Sequence, residues 1–340
     1  MDRLRIERPF ELPRPHSAEF GGTYKNAPED FEVEELSLYD PDGRPGQLFL
    51  WVRKIGIGTP ELVRILSSQL SVTSDSIGTA GLKDALAVTR QWVSIPSAAE
   101  ANLPRLEDER VEILRVERNS TKLRTGELAG NRFRIVVRDS VSADAVRDFL
   151  SRAHGRFPAY FGAQRFGDKR DTHRLGLDLL RGKKRDLSPR LRRFALSAAQ
   201  SALFNAYLAS RVDDSTWSTA IEGDVLLRPS GADWFGATAE ITEAVESGRA
   251  WVAGPIFGPH MRPSSGAAAA LERDVLACAD LTDTDFLPYK KLTAGTRRPL
   301  VMAIRDESVE SVADGYALSF TLPSGMYATE VLAALGAAPA

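Results

Sequence analysis

The stretch TAGLKDALAVTRQWVSIP, residues 79–96, sets Asp84 in a turn after Gly78, Thr79 and Gly81 and just ahead of a Thr-Arg-Gln-Trp run that reads as the start of a strand. One reading of Asp84 is a turn or cap residue whose carboxylate accepts hydrogen bonds from nearby backbone amides. The other is an ionised carboxylate presented at a strand edge for chemistry, with Lys83, Arg90 and Gln91 close by in sequence and cations favouring its charged form. A second stretch, GELAGNRFRIVVR (126–138), offers Asn131 and Phe133. It fits a turn followed by a core Phe. The alternative is an amide and an aromatic ring at a sheet edge, suited to orient and stack an everted base, with Arg118, Lys122, Arg124, Arg132 and Arg134 as phosphate partners. The third, PAYFGAQRFG (158–167), groups aromatics with Gln164 and Arg165. That is either a core loop or a surface for stacked bases and phosphates.

Other chemistries find no support in the residue pattern. His16, His154, His173 and His260 show no paired-ligand spacing, and Cys278 stands alone, so neither a metal site nor a disulfide framework is expected. GLDLLRGKKR has five residues between its glycines and no Ser or Thr after the Lys, which breaks the phosphate-loop geometry. No G-x-G-x-x-G follows a strand, and no G-x-S-x-G elbow occurs. What remains is carboxylate chemistry with no cofactor.

The elements that must carry these residues are legible by period. FEVEEL aligns Phe31 with Val33; QLFLWVR aligns Leu48, Leu50 and Val52 on one face and Phe49 and Trp51 on the other. RFRIVVR aligns Phe133, Ile135 and Val137, and YALSFTL aligns Tyr316, Leu318, Phe320 and Leu322. Such alternation indicates antiparallel strands with one face partly wet. Helices are expected after Thr59-Pro60 with Thr59 as N-cap, after Ser142, after Ser188-Pro189, through SGAAAALERDVLAC, and from about Tyr327. Strands mixed with helices, then a helix-rich basic segment, then returning strands indicate an α+β domain interrupted by an insertion.

The chain has 340 residues and a net charge of −2, with 43% apolar and 26% charged residues. Its basic residues are unevenly spread: eleven Lys or Arg but only four acids lie between Arg165 and Arg193. This stretch is either a solvated face or a local field for a polyanion. The opening MDRLRIERPFELPRP has no signal-like apolar core, and no run of about 18 apolar residues occurs. The expected setting is cytoplasmic, away from membranes. No heptad pattern is present, and a monomer is expected.

AGLKDALAVTRQW, GNRF and YFGAQRFG, in that order, closely resemble the TruD family of tRNA pseudouridine synthases. YKNAPEDFEVEEL, LSAAQSALFNAYLASRV, GPIFGP and FTLPSGMYATEVLAAL are similar to further family segments, so the resemblance runs from about residue 20 to 336. Ala85-Leu86 departs from it, where many members carry basic or polar residues. The resemblance implies an α+β fold: a pseudouridine synthase catalytic domain (1–155 plus 305–340) on a mainly antiparallel mixed sheet, interrupted by an inserted α/β TRUD domain (156–304). It implies isomerisation of a tRNA uridine, usually uridine 13 of the D arm, after base flipping, with no nucleotide or metal cofactor. Asp84 takes the place of the nucleophile and Lys25 that of the active-site Lys. Phe31, Asn131, Phe133 and Tyr327 match pocket residues, and Arg90, Gln91 and Arg165 are further expected substrate contacts. Another RNA target, an RNA-binding homologue without turnover, and a metal-free glycosidase remain alternatives.

Overall fold

The computed structural model describes residues 3–228, 233–234, 242–245 and 249–340. The chain divides into two compact units, one of residues 18–155, 304–328 and 332–340, the other of 1–17, 156–303 and 329–331. Residues 3–17, expected from sequence with the first unit, pack in the second. There Ile6 and Leu12 join its apolar core. Tyr160 Oη donates to the Pro13 carbonyl and Asn205 Nδ2 to that of Pro9.

The first unit is built on a sheet whose long strands are β1 (Phe31–Ser37), β2 (Gln47–Ile55), β3 (Val88–Pro96), β4 (Val111–Asn119), β5 (Leu128–Arg138), β6 (Arg305–Val312) and β7 (Gly315–Pro323). Their order is β6-β7-β5-β1-β3-β2-β4. Only the β1–β3 pair among these is parallel, so the sheet is mixed and mainly antiparallel, as the alternation indicated. Helix α1 (Thr59–Leu70) covers β2 and β3. Leu62, Ile65, Leu66 and Leu70 meet Leu48, Leu50, Val52, Val93 and Ile95 there. The helix starts one residue earlier than expected, with Gly58 at the N-cap. The Thr59 hydroxyl is used elsewhere: it accepts from Lys83 N at 2.8 Å and donates to Gln91 Oε1 at 3.0 Å. Helix α2 (Ala143–Arg152) packs on β6 and β7.

Directly paired residues share a face of a sheet. Lys54, Thr89, Val33, Phe133 and Phe320 therefore form one row across β2, β3, β1, β5 and β7, and all five are buried. The neighbouring positions Glu32, Glu34, Arg90, Arg132 and Arg134 lie on the opposite face. They pair across strands at 3.5–3.7 Å. Gly130 of GNRF is inside β5 rather than in a turn. A Cβ there would sit 2.2 Å from the Leu322 carbonyl, so only glycine lets β7 approach.

In the second unit, helix α3 (Thr172–Leu180) packs on α4 (Pro189–Asp213), and α5 (Gly266–Cys278) packs on α4 as well. Ser188 caps α4, accepting from Leu191 N. From Ala195 to Val212 all residues of α4 but Ser197 are buried, and the polar ones among them, such as Gln200, Asn205 and Arg211, are hydrogen-bonded. The described strands Val225–Leu227, Asp233–Trp234, Trp251–Ile256 and Thr296–Pro299 form an antiparallel sheet.

At the end of α4, Arg211 is buried and grips Asp224 with two bonds, of 2.9 and 3.0 Å, while also donating to Tyr207 Oη, Thr216 O and Thr219 O. Arg211→Met leaves a buried carboxylate without its cation. The expected cost is about 3–5 kcal/mol, read as a lower denaturant midpoint. No helix among the described residues is long and apolar enough to cross a membrane.

Candidate active site

Two turns bring Asp84 and Lys25 together. Lys25 follows a short strand, Thr23–Tyr24, and has a left-handed backbone, φ 62°. After it, the Pro28–Asp30 turn leads into β1. Asp30 is buried and fixes this turn, accepting from Ala27 N and from Arg138 at 2.6 and 3.0 Å. The Arg138 hydrogen bonds hold its carboxyl below the usual carboxylate range. Lys25 Nζ thereby lies 4.2 Å from the centre of the Phe31 ring and 3.1 Å from Asp84 Oδ1. A cation over a ring face is attracted by its quadrupole, so Phe31 and Asp84 hold the ammonium from two sides.

The Asp84 turn is pinned from beneath. Lys83 is buried, and its Nζ lies 2.7 Å from Oε2 of buried Glu35, a close ion pair outside hydrogen-bond alignment. Glu35 Oε1 also accepts from Trp92 N. Lys54, 0% exposed, donates to the Ile57 carbonyl at 2.5 Å and to the Asp84 carbonyl at 2.9 Å. Its ammonium has no carboxylate bound to it among the described residues, and burial pushes its pKa down from 10.5 to about 8. The folded state therefore holds fewer protons than the unfolded state between these values, and Lys54 makes stability rise with pH across that window. Below pH 8 the cost of the buried charge is felt in full. Relative to Lys54→Met, the native chain should gain up to roughly 3 kcal/mol between pH 8 and 10.5, measured by denaturant unfolding at each pH.

The side chain of Asp84 is 53% exposed, whereas that of Lys25 is 17% exposed. The Asp84 carboxylate is thus open to solvent in the free protein. Of the other cations expected near it, Lys83 is committed to Glu35 and Arg90 to Glu32. Arg90 lies on the face opposite Phe133, because its neighbour Thr89 belongs to the buried row. Gln91 is 0% exposed, with its Oε1 bonded to Thr59, and has no surface for a substrate. Arg132 and Arg134 likewise belong to the face opposite Phe133 and pair with Glu34 and Glu32.

The aromatic residues are also less open than expected. Phe133 is 7% exposed. Its ring stacks on Phe320 at 5.4 Å and meets the edge of Phe31 at 6.2 Å. Phe31 and Phe133 are thus packed core rings rather than a free stacking face. Tyr327 is half-buried at the entry to the Ala328–Ala334 helix. Asn131 is half-buried, and its Oδ1 is buried without a hydrogen-bond partner among the described residues.

Arg165 belongs to the second unit, where it bonds to Ser197 and Ser201 and lies over Phe161. The rest of PAYFGAQRFG is largely core: Tyr160 and Phe166 are buried, and Asn205 clamps Phe161 through its N–H and carbonyl. In the basic stretch Lys183 and Arg185 pair with Asp178, while Lys169, Arg170, Lys184, Arg190 and Arg193 are exposed. Sequence reasoning missed Lys54, Glu35, Thr59 and the Asp30–Arg138 pair as parts of this site.

A family model described as tRNA pseudouridine synthase D (TruD) matches residues 15–187 and 184–335. The chain is 36% identical over 323 residues to the tRNA pseudouridine synthase D of Anaeromyxobacter sp. strain Fw109-5, covering 92% of this chain and 91% of that protein. It is 36% identical over 319 residues to a tRNA pseudouridine synthase D of Thermus thermophilus, covering 92% and 88%. A crystal structure from Methanosarcina mazei, described under the same TruD heading, is similar in fold with a TM-score of 0.77 at 23% identity, covering 97% of each chain.

Proposed function

The chain belongs to the TruD family, and from that premise we propose that it isomerises a tRNA uridine to pseudouridine, with uridine 13 of the D arm as target and Asp84 as nucleophile. The observation that carries this reading is the 3.1 Å pair of Lys25 Nζ and Asp84 Oδ1 on an exposed but pinned turn. The reaction breaks the bond from N1 of uracil to C1′ and makes one from C5 to C1′; C5 gives up its proton and N1 gains one. Substrate and product are isomers, and no electrons enter or leave. Asp84 serves either by attacking C1′ or by removing the C2′ proton, and both routes need an ionised carboxylate. Lys25 favours that form.

A stacked uridine must be everted first, at a cost of a few kcal/mol. Once seated, the nucleoside itself covers the exposed half of Asp84 and strengthens its pairing with Lys25 by excluding water. The unpartnered Oδ1 of Asn131 offers an acceptor for a uracil N–H. Tyr327, half-buried, offers the base a ring. Arg165 and the exposed cations of the basic stretch contact phosphates. In this reading the first unit is the catalytic domain and the second the TRUD insertion. The enzyme works as a monomer in the cytoplasm, without a nucleotide or metal cofactor.

The test is incubation of the protein with unmodified tRNA, followed by carbodiimide treatment and primer extension. A new stop reporting position 13 is expected. A stop elsewhere overturns the target, and no stop on any tRNA overturns the activity.

A further inference from the structure

We propose that Lys54 is a positioning residue that sets the reach of Asp84 by holding its main-chain carbonyl from beneath. The inference rests on the reading of Asp84 as nucleophile. The exposed part of the turn has little packing of its own: Leu82, Asp84, Ala85 and Leu86 are all exposed. What fixes it lies underneath. Lys83 N and O both bond to Thr59, Lys83 Nζ pairs with Glu35, and Lys54 Nζ bridges Ile57 O and Asp84 O. Of these ties only that from Lys54 ends on Asp84 itself. Fixing that carbonyl fixes the backbone from which the carboxylate swings toward Lys25.

The choice of residue is costly, which argues for a use. Position 54 continues the apolar face of Leu48, Leu50 and Val52, all wholly buried, and an apolar side chain would suit it. Instead it carries an ammonium whose hydrogen bonds end on two main-chain oxygens. Burying a charge without a counter-charge is unfavourable, and the lowered pKa reflects it. The nearby charges, Asp84 and Lys83, act on it in opposite senses. A displacement near 1 Å at a reacting group costs about 100-fold in rate, and this sets the expected effect of releasing the turn.

The experiment compares the native protein with Lys54→Met, Lys54→Gln and Asp84→Asn. Single-turnover pseudouridine formation on unmodified tRNA is measured with enzyme in excess, together with tRNA affinity by filter binding. Hydrogen exchange of residues 79–87 is followed against strand 88–96. Lys54→Met should be about 100-fold slower, bind tRNA within about twofold of the native protein, and exchange faster in 79–87 alone. Lys54→Gln keeps a donor on a shorter arm and should fall between. A Lys54→Met rate near the native one, a matching loss of binding, or exchange accelerated equally in the strand overturns the proposal. A variant that does not fold by circular dichroism leaves the test to the other, and failure of both overturns it in favour of a structural role. If the native protein is as inactive as Asp84→Asn, it is the functional reading that fails.

Discussion

Asp84→Asn should abolish pseudouridine formation, lowering the single-turnover rate by about 10⁴-fold or more, the scale seen when a nucleophile is removed. The substitution is nearly isosteric. The turn should survive it, because Lys54 grips the main-chain oxygen of residue 84 and Lys83 is tied to Thr59 and Glu35. The amide oxygen of Asn can still accept from Lys25, yet it neither attacks C1′ nor removes a C2′ proton. Affinity for tRNA should change by no more than about threefold, since removing one negative charge adds no phosphate contact. The measurement is carbodiimide mapping of the product beside filter binding. Turnover at more than a few per cent of the native rate would remove Asp84 from the chemistry. An RNA-binding homologue without turnover would show no change at all.

The second large effect is expected at Lys25. Lys25→Met should slow the reaction by about 10²–10³-fold, the range for losing one preorganised electrostatic partner at a reacting centre. It should weaken tRNA binding only a few-fold and reduce the salt slope by about one ion at most. The asymmetry follows from geometry: the Lys25 side chain is 17% exposed and its ammonium is held by Asp84 and Phe31, so little of it is left for the backbone of an RNA. Equal losses in rate and binding would make Lys25 a phosphate contact instead. The left-handed backbone at this position is unchanged by the substitution, so near-native unfolding is expected alongside.

The long strands were legible because their alternation is regular, and the same rule, carried two residues further, exposes what was missed. Glu35 follows Phe31 and Val33 in phase, and Lys54 follows Leu48, Leu50 and Val52 in phase. A charge in the register of a buried face must find a partner inside, and these two do so at the Asp84 turn. Phase also decides Arg90 and Gln91. As neighbours on β3 they point to opposite faces, and Gln91 falls on the packed one. No periodicity could show that Thr59 would turn its hydroxyl toward Lys83, or that Lys25 would meet Asp84 across 59 residues. Those contacts depend on two turns folding toward each other. The family motifs, not the spacing, single out Lys25 in the sequence. The exposure of Asp84 and the burial of Phe133 were not legible, because solvent access at a turn or sheet face depends on what packs against it.

The order of strands has a consequence for how the protein is made. Strand β5 leaves the ribosome long before β7, its partner along Gly130–Arg138. The 176 residues between Arg138 and Gly315 take about 9–35 s to synthesise at 5–20 residues per second. Throughout that interval the nascent chain carries a bare hydrogen-bonding edge at the middle of its future sheet, open to mispairing with any other extended segment.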